Sequence, residues 1–288
     1  MKNIQLILEG GGMRGAYTAG VLDCFLDNQM YFENIIGVSA GAGNATSYIS
    51  REKKRAIESL IKYSGDKRYL SYRGLIKNGS IFGMDFIFKE IPEKLMPFDY
   101  DAFHQNVVNF EVVTTDCNTG EPHYHKITNL RKEIDYIIAS SSLPLVSQMV
   151  RVDGLELLDG GISDPLPIKY SLEQGYEYQV VVLTRNRGYQ KKKSRLTKLL
   201  KIQYHRYPKL IEKIKIRHMI YNESLELIYK LEEQKKAIVI APSKEMNINR
   251  IEKNKQKLLD IYELGYQDAQ AKIPEILAVI SQDKDIKK

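Results

Sequence analysis

The sequence predicts an α/β fold: a mainly parallel central sheet flanked by helices, followed by a largely helical C-terminal extension. Three observations predict it. Aliphatic runs of strand length alternate with stretches of helical periodicity through the first 184 residues, the pattern of a parallel sheet with crossover helices. Two glycine-bearing turns, Gly10-Gly11-Gly12-Met13-Arg14-Gly15 and Gly37-Val38-Ser39-Ala40-Gly41, directly follow such runs. Ligands of open α/β sheets gather at such strand ends. Beyond residue 184 the chain reads as helical apart from one strand run at 237–241. The division expected is a core over 1–184 and a basic, mostly helical extension over 185–288 packed on it.

The elements follow in order. Residues 3–8 are aliphatic enough for a first strand, and 16–26 carry Val21, Leu22 and Phe25 at helical spacing. A second strand at 35–38 leads into a helix ending near Ile49, and 51–63 forms an amphipathic helix with Ile57, Leu60 and Ile61 on one face. Four glycines over 65–83 predict irregular chain. Residues 84–95 predict a short helix stopped near Pro97, and 98–101 a turn or short helix. The β-branched run 107–115 and the alternating run 122–127 predict a hairpin around Asn118-Thr119-Gly120. Asn129 caps a helix to about Ala139, which Ser140-Ser141-Ser142-Leu143-Pro144 ends. A second hairpin, 148–152 with 155–158, turns at Asp153-Gly154. A helix at 167–174, a strand at 178–183 and a basic loop at 185–193 come next. Two long helices are expected at 194–216 and 218–235, and a last one over 250–280 with a break near Gly265.

Composition narrows the setting. At 288 residues the chain has room for a sizeable core, and 27% charged residues is ordinary for a soluble globular protein. Two cysteines, Cys24 and Cys117, make no disulfide framework, which points to a reducing, cytoplasmic setting. The first apolar run is too short for a signal peptide, and no run of about 18 apolar residues predicts a membrane span. Charge is unevenly spread. Residues 185–217 hold 13 Lys or Arg against one acid, Glu212, so that stretch carries +12 of a net +7 and the rest sums to −5. An anionic partner surface fits this stretch, and so does a plain solvated basic helix pair.

The stretch that organises the chain is Gly37-Val38-Ser39-Ala40-Gly41 after an apolar run. Gly-x-Ser-x-Gly between a strand and a helix is a nucleophile elbow, in which the serine hydroxyl stands above the sheet edge. Gly37 and Gly41 would permit so tight a bend. The pentapeptide alone is weak, since three fixed positions give roughly 0.1 chance matches in a chain this long. Its alternative is a glycine-rich turn with a surface serine. The first glycine loop admits three readings. Gly10, Gly12 and Gly15 satisfy the dinucleotide fingerprint, but the acid expected at the end of the second strand is replaced by the elbow. Successive glycines at a helix N-terminus can also point backbone N–H groups at a negative oxygen. Close helix–strand packing explains Gly15 in any case.

A serine nucleophile needs a base. None of His104, His123, His125, His205 and His218 stands beside a turn motif at a strand end, and His123 with His125 reads as a pair of exposed strand residues rather than metal ligands. Asp159 ends an apolar strand run and precedes Gly160-Gly161. A carboxylate within hydrogen-bond reach can take a serine proton. Judged alone, Asp159-Gly160-Gly161 is a turn.

Taken together, Glu9-Gly10-Gly11-Gly12-Met13-Arg14-Gly15, Gly37-Val38-Ser39-Ala40-Gly41 and Asp159-Gly160-Gly161 resemble the patatin-like phospholipase family. Ala139-Ser140-Ser141-Ser142-Leu143-Pro144 and Ile162-Ser163-Asp164-Pro165-Leu166-Pro167 add to the resemblance, which covers about residues 4–184 and is closest to bacterial stand-alone members. The resemblance implies a metal- and cofactor-free Ser–Asp dyad that hydrolyses acyl esters of lipids. It implies Ser39 as nucleophile, Asp159 as base, and an oxyanion hole from the backbone of Gly10, Gly11, Gly12 and Met13. Arg14, Gly37, Gly41 and Gly160 would support that site, and the Pro144 segment would be structural. The partner expected is a lipid or acyl ester, with contact through 185–217 to an anionic membrane, such as the inner membrane surface, and no nucleic acid. The alternatives are a non-catalytic protein on the same fold that binds membrane or nucleic acid, and a nucleotide-dependent enzyme using the glycine loop.

Overall fold

The aliphatic runs assemble into one sheet of eight strands. A computed structural model of the chain describes residues 3–71, 79–194, 197–248 and 251–285. The strands are β1 (Ile4–Leu8), β2 (Asn34–Val38), β3 (Asn109–Asp116), β4 (Pro122–Lys126), β5 (Val150–Val152), β6 (Leu155–Asp159), β7 (Tyr178–Val182) and β8 (Ala237–Ile240). β3, β2, β1, β7 and β8 lie side by side in that order, all parallel. β4 and β6 pair antiparallel with β3, and β5 pairs with β6. The predicted hairpins and the mainly parallel centre are both present.

Both faces of the parallel centre are buried, which is why its strands read as continuous apolar runs instead of alternating ones. Leu6, Leu8, Ile35, Val112, Val180, Val182 and Ile238 face one core cluster. Ile7, Ile36, Val38, Val113, Val181 and Val239 face the other. The first cluster is covered by α1 (Gly15–Asp27), α2 (Ala40–Ile49), α3 (Arg55–Tyr63), α5 (Leu130–Ser140) and α9 (Lys255–Asp285). The second is covered by α6 (Ile168–Glu173) and α8 (Pro208–Glu233). The remaining helices are α4 (Tyr100–Gln105) and α7 (Thr197–Gln203). The chain beyond residue 184 therefore supplies one edge strand, β8, and a helix on each face of the sheet.

Several boundaries differ from expectation for physical reasons. The two helices expected at 194–216 and 218–235 are α7 and α8, divided after Gln203 and not at 217. Pro208 stands in the first turn of α8, where its missing N–H costs nothing, whereas no breaker stands at Arg217-His218. The break expected near Gly265 is absent: α9 is continuous from Lys255 to Asp285. A Cβ at Gly265 would lie 2.1 Å from the Tyr17 carbonyl oxygen, and one at Gly20 would lie 1.9 Å from the Tyr262 carbonyl oxygen. The two glycines let α1 and α9 cross backbone to backbone. Tyr262 Oη then reaches the buried Asp23 carboxylate of α1 at 2.8 Å, and Tyr17 Oη reaches Asp268 of α9 at 2.9 Å.

The helix expected over 84–95 is wound mostly as a π-helix, Phe86–Leu95, with Pro92 inside it. Its wider turn is visible where Met96 N donates to Ile91 O at 2.8 Å. The irregular stretch expected over 65–83 falls partly on residues 72–78, which lie outside the described residues, as do 195–196 of the basic stretch. His123 and His125 are not exposed strand residues. They are half-buried and stacked with Tyr136, the His125 and Tyr136 rings being 3.4 Å apart between centroids. Burial pushes the His123 imidazole below its usual range.

Candidate active site

The topology of β3 brings the two candidate residues to one place. Val113 pairs with Val38 of β2 and with Tyr124 of β4, and Thr114 pairs with Asp159 of β6 and with His123 of β4. A strand has two edges, so β2 and β6 share one edge of β3, and β4 holds the other. β2 ends at Val38 where antiparallel β6 ends at Asp159. Ser39 and Asp159 thus follow from two strands that run toward each other along one edge.

Ser39 has φ +55° and ψ −124°, a conformation strained for a residue with a side chain. It is the first residue before α2, at the positive end of that helix. Two hydrogen bonds hold the bend: Ser39 N donates to Ser140 Oγ at 2.8 Å, and Ser140 Oγ donates to Val113 O at 2.7 Å. The flanking glycines serve different contacts. A Cβ at Gly37 would meet Ala42 Cα at 2.6 Å, across the bend itself. A Cβ at Gly41 would meet Leu8 O at 2.4 Å, so this glycine seats α2 on the neighbouring strand β1.

Asp159 is 2% exposed, and its Oδ1 accepts from Gly161 N at 2.7 Å. Its backbone is fixed on both sides, with Asp159 N donating to Ser142 O at 2.8 Å and Thr115 Oγ1 donating to Asp159 O at 2.9 Å. Gly160 presses against β3, where a Cβ would lie 2.1 Å from Val113 O. Gly161 O accepts from Arg217 Nε of α8.

The glycine loop runs from β1 through a short 3₁₀ turn, Gly12–Arg14, into α1. Glu9 N donates to Val182 O and Arg14 N donates to Gly11 O. Between them, the N–H groups of Gly10, Gly11, Gly12 and Met13 donate to no acceptor among the described residues. Gly12 has φ +58°, which favours glycine. The loop lies close to the elbow: a Cβ at Gly10 would stand 2.8 Å from Ser39 Cβ. Glu9, 4% exposed, accepts from Thr184 N at 2.6 Å and from Tyr221 Oη at 3.0 Å. Burial raises the Tyr221 phenol well above its usual range, and the Glu9 carboxylate adds to the shift. Arg14 is buried beside the loop.

These parts enclose a polar cavity of about 40 Å³ lined by Gly10, Gly11, Gly12, Arg14, Ser39 and Asp159, and also by Arg185, Lys191 and Arg217. A second cavity, about 220 Å³, shares Gly12 and Ser39 with it and is walled largely by apolar side chains, including Phe82, Ile87, Phe88, Ile91, Ile134 and Ile137. The π-helical segment supplies three of these six. No group of three or more His, Cys, Asp or Glu suited to a metal ion occurs among the described residues.

Residues 6–172 match the family model described as patatin-like phospholipase. The chain belongs to the patatin-like phospholipase family. Residues 207–281 match a second model, a domain of unknown function, DUF6363. An Escherichia coli (strain K12) protein described as "Uncharacterized protein YjjU" is 31% identical over 186 residues, 63% of this chain and 52% of that protein. The chain thus spans about half the length of that relative. The crystal structure of VipD from Legionella pneumophila superposes with a TM-score of 0.48 at 14% identity, over 93% of this chain and 66% of that one.

All ten residues expected at the site lie on the elbow, the glycine loop or the Asp-Gly-Gly turn, and the cavities join these three features. Sequence reasoning missed Thr184, Arg217 and Tyr221 as neighbours of the glycine loop and the Asp-Gly-Gly turn. Their contacts span up to 212 residues of chain, and no local pattern marks them.

Proposed function

We propose that the protein is a lipid acyl hydrolase working through Ser39 and Asp159. The observation that carries this reading is the strained serine, set where β2 and β6 converge, on the shared wall of a polar cavity and an apolar one. Ser39 Oγ attacks the acyl carbonyl carbon, and its proton passes to the Asp159 carboxylate. The carbonyl oxygen becomes an oxyanion. The free N–H groups of the Gly10 to Met13 loop and the positive end of α2 stabilise it. Collapse expels the alcohol, which takes the proton, and leaves an acyl ester on Ser39. Water, deprotonated by Asp159, then releases the fatty acid and restores the serine. Neither step calls for a metal ion or a cofactor. The acyl chain lies in the apolar cavity.

Membership of the patatin-like phospholipase family supports lipid substrates in general. Among the described residues no helix is long and apolar enough to cross a bilayer, so access to lipid would come from the surface. The cytoplasmic face of an anionic membrane fits the basic stretch.

Hydrolysis of p-nitrophenyl butyrate in the presence of chelator tests the dyad. Ser39→Ala and Asp159→Asn are each expected to lose at least about 10³-fold in kcat. Wild-type rates in both variants would place the chemistry elsewhere.

A further inference from the structure

Beyond the polar cavity lies a third space, about 340 Å³, which shares Leu143, Lys191 and Arg217 with it. Lys191, Lys192, Arg217 and His218 line it, and no Asp or Glu does among the described residues. Lys191 and Arg217 thus line both the polar cavity and this third space, whereas the apolar cavity shares Gly12, Ser39 and Leu143 with the polar one and neither of these cations.

The cationic wall is built rather than loosely splayed. The loop that carries Lys191 is fastened to α8 twice. Arg187 makes a two-pronged ion pair with Glu232, at 2.7 and 2.6 Å. Lys191 N donates to Asn222 Oδ1 at 2.8 Å, and Asn222 Nδ2 donates to Lys191 O at 3.2 Å. Lys191 Nζ lies 4.3 Å from the Tyr221 ring centroid, and the Arg185 guanidinium 4.5 Å from that of Tyr189. Tyr221 is itself tied to Glu9 of the glycine loop. Arg217 is held by Gly161 O, two residues from Asp159.

We propose that Lys191 and Arg217, with Lys192 behind them, form a subsite for a phosphate on the alcohol side of the scissile ester. This rests on the hydrolase reading and adds a specificity to it: acyl esters that carry a phosphate are preferred over neutral glycerides. Every residue of the subsite lies outside the segment matched to the phospholipase family, and Arg217 falls in the domain of unknown function. That C-terminal region would then act as the part of the enzyme that reads the headgroup. An ester bond at Ser39, an acyl chain in the apolar cavity and a phosphate at Lys191 fit one substrate lying across three connected spaces.

The test uses two water-soluble esters, 1-hexanoylglycerol 3-phosphate and 1-hexanoylglycerol, which differ only in the phosphate and form no bilayer. Wild type is expected to favour the phosphate ester by at least tenfold in kcat/KM, chiefly through KM. In Lys191→Gln/Lys192→Gln the ratio is expected to fall to within about threefold of unity. A ratio near unity in wild type, or one that survives in the variant, would overturn the subsite and leave the hydrolase reading intact. A second measurement stands apart from turnover: calorimetric binding of hexyl phosphate to Ser39→Ala protein, with and without the lysine substitutions, each variant first shown to melt like wild type. The substitutions are expected to weaken binding at least tenfold. Unchanged binding refutes the proposal, and so does inorganic phosphate binding as tightly as hexyl phosphate, which would mark a site for the free anion. If neither ester is cleaved, the hydrolase reading fails, and the binding result alone decides the subsite.

Discussion

Ser39 keeps a backbone conformation that costs about 1–3 kcal/mol, and its neighbours must hold it there. Ser140 is the residue most directly charged with that work, since its hydroxyl links the Ser39 N–H to the Val113 carbonyl. Ser140→Ala leaves a buried N–H without its acceptor, a loss of about 1–3 kcal/mol. Urea denaturation is expected to show a destabilisation of that size together with a lower kcat. Ser140→Thr, which keeps the hydroxyl, is expected to restore both. A destabilised but fully active Ser140→Ala protein would show that the bond supports the fold and not the elbow. At this scale much was legible in the sequence, because a tight strand-to-helix bend, a glycine pressed on a carbonyl and an N–H cradle each call for glycine within five or six positions. Ser140 was legible only as part of a segment beside the site. Arg217 and Tyr221 were not legible, because a side chain that reaches a distant turn leaves no mark on its neighbours in sequence.

Among the elements, the crossing of α1 and α9 depends on glycine from both helices. Gly20 and Gly265 each leave room for a carbonyl of the opposite helix, so either glycine replaced by alanine forces the helices apart. Alanine is the better helix former by up to about 1 kcal/mol. Overpacking against rigid backbone costs about 1–3 kcal/mol, occasionally more, and overrides that gain. Gly265→Ala is therefore expected to lower the melting temperature, and a rise would mean that α9 does not press on α1 as described. A lone glycine in a helical pattern reads as a weak point, and a break was the natural expectation there. What stands at that position instead is a crossing partner supplied by residues some 245 positions earlier, and local pattern does not report it. The division of α7 from α8 was differently missed: Pro208 is a local signal, and a first-turn proline accounts for it.

For the molecule as a whole, the charge asymmetry has a definite surface expression. Of the apolar residues interleaved with Lys and Arg in the basic stretch, Leu200, Tyr204, Leu210, Ile211 and Ile214 are buried beneath α7 and α8 against Cys117, Leu158 and Ile162. Leu199 and Ile202 are 51% and 73% exposed, and Ile216 and Met219 of α8 are exposed as well. These four, set among basic residues, could rest on anionic lipid. In liposome flotation the protein is expected to rise with vesicles containing phosphatidylglycerol and to stay behind with neutral ones. Salt near 0.5 M is expected to release it as charge is screened. Equal recovery with both vesicles would remove membrane docking while leaving the site untouched. The overall fold class was legible because burial on both faces makes parallel strands read as plain aliphatic runs. The distribution of the C-terminal helices over both faces was not, since one amphipathic pattern fits either face equally well.

The matched family segment stops at residue 172, whereas β7, which lies directly beside β1, begins at Tyr178, and Arg217 and Tyr221 come later still. A ribosome delivers this chain from its first residue onward. The serine, the glycine loop and the aspartate are all synthesised before the strand that completes the centre of the sheet and before the helix that ties Glu9 and Gly161 in place. A nascent chain that ends at residue 172 therefore holds Ser39, the glycine loop and Asp159 but lacks β7 beside β1 and α8 across Glu9 and Gly161, contacts that cannot form until residue 221 has been made.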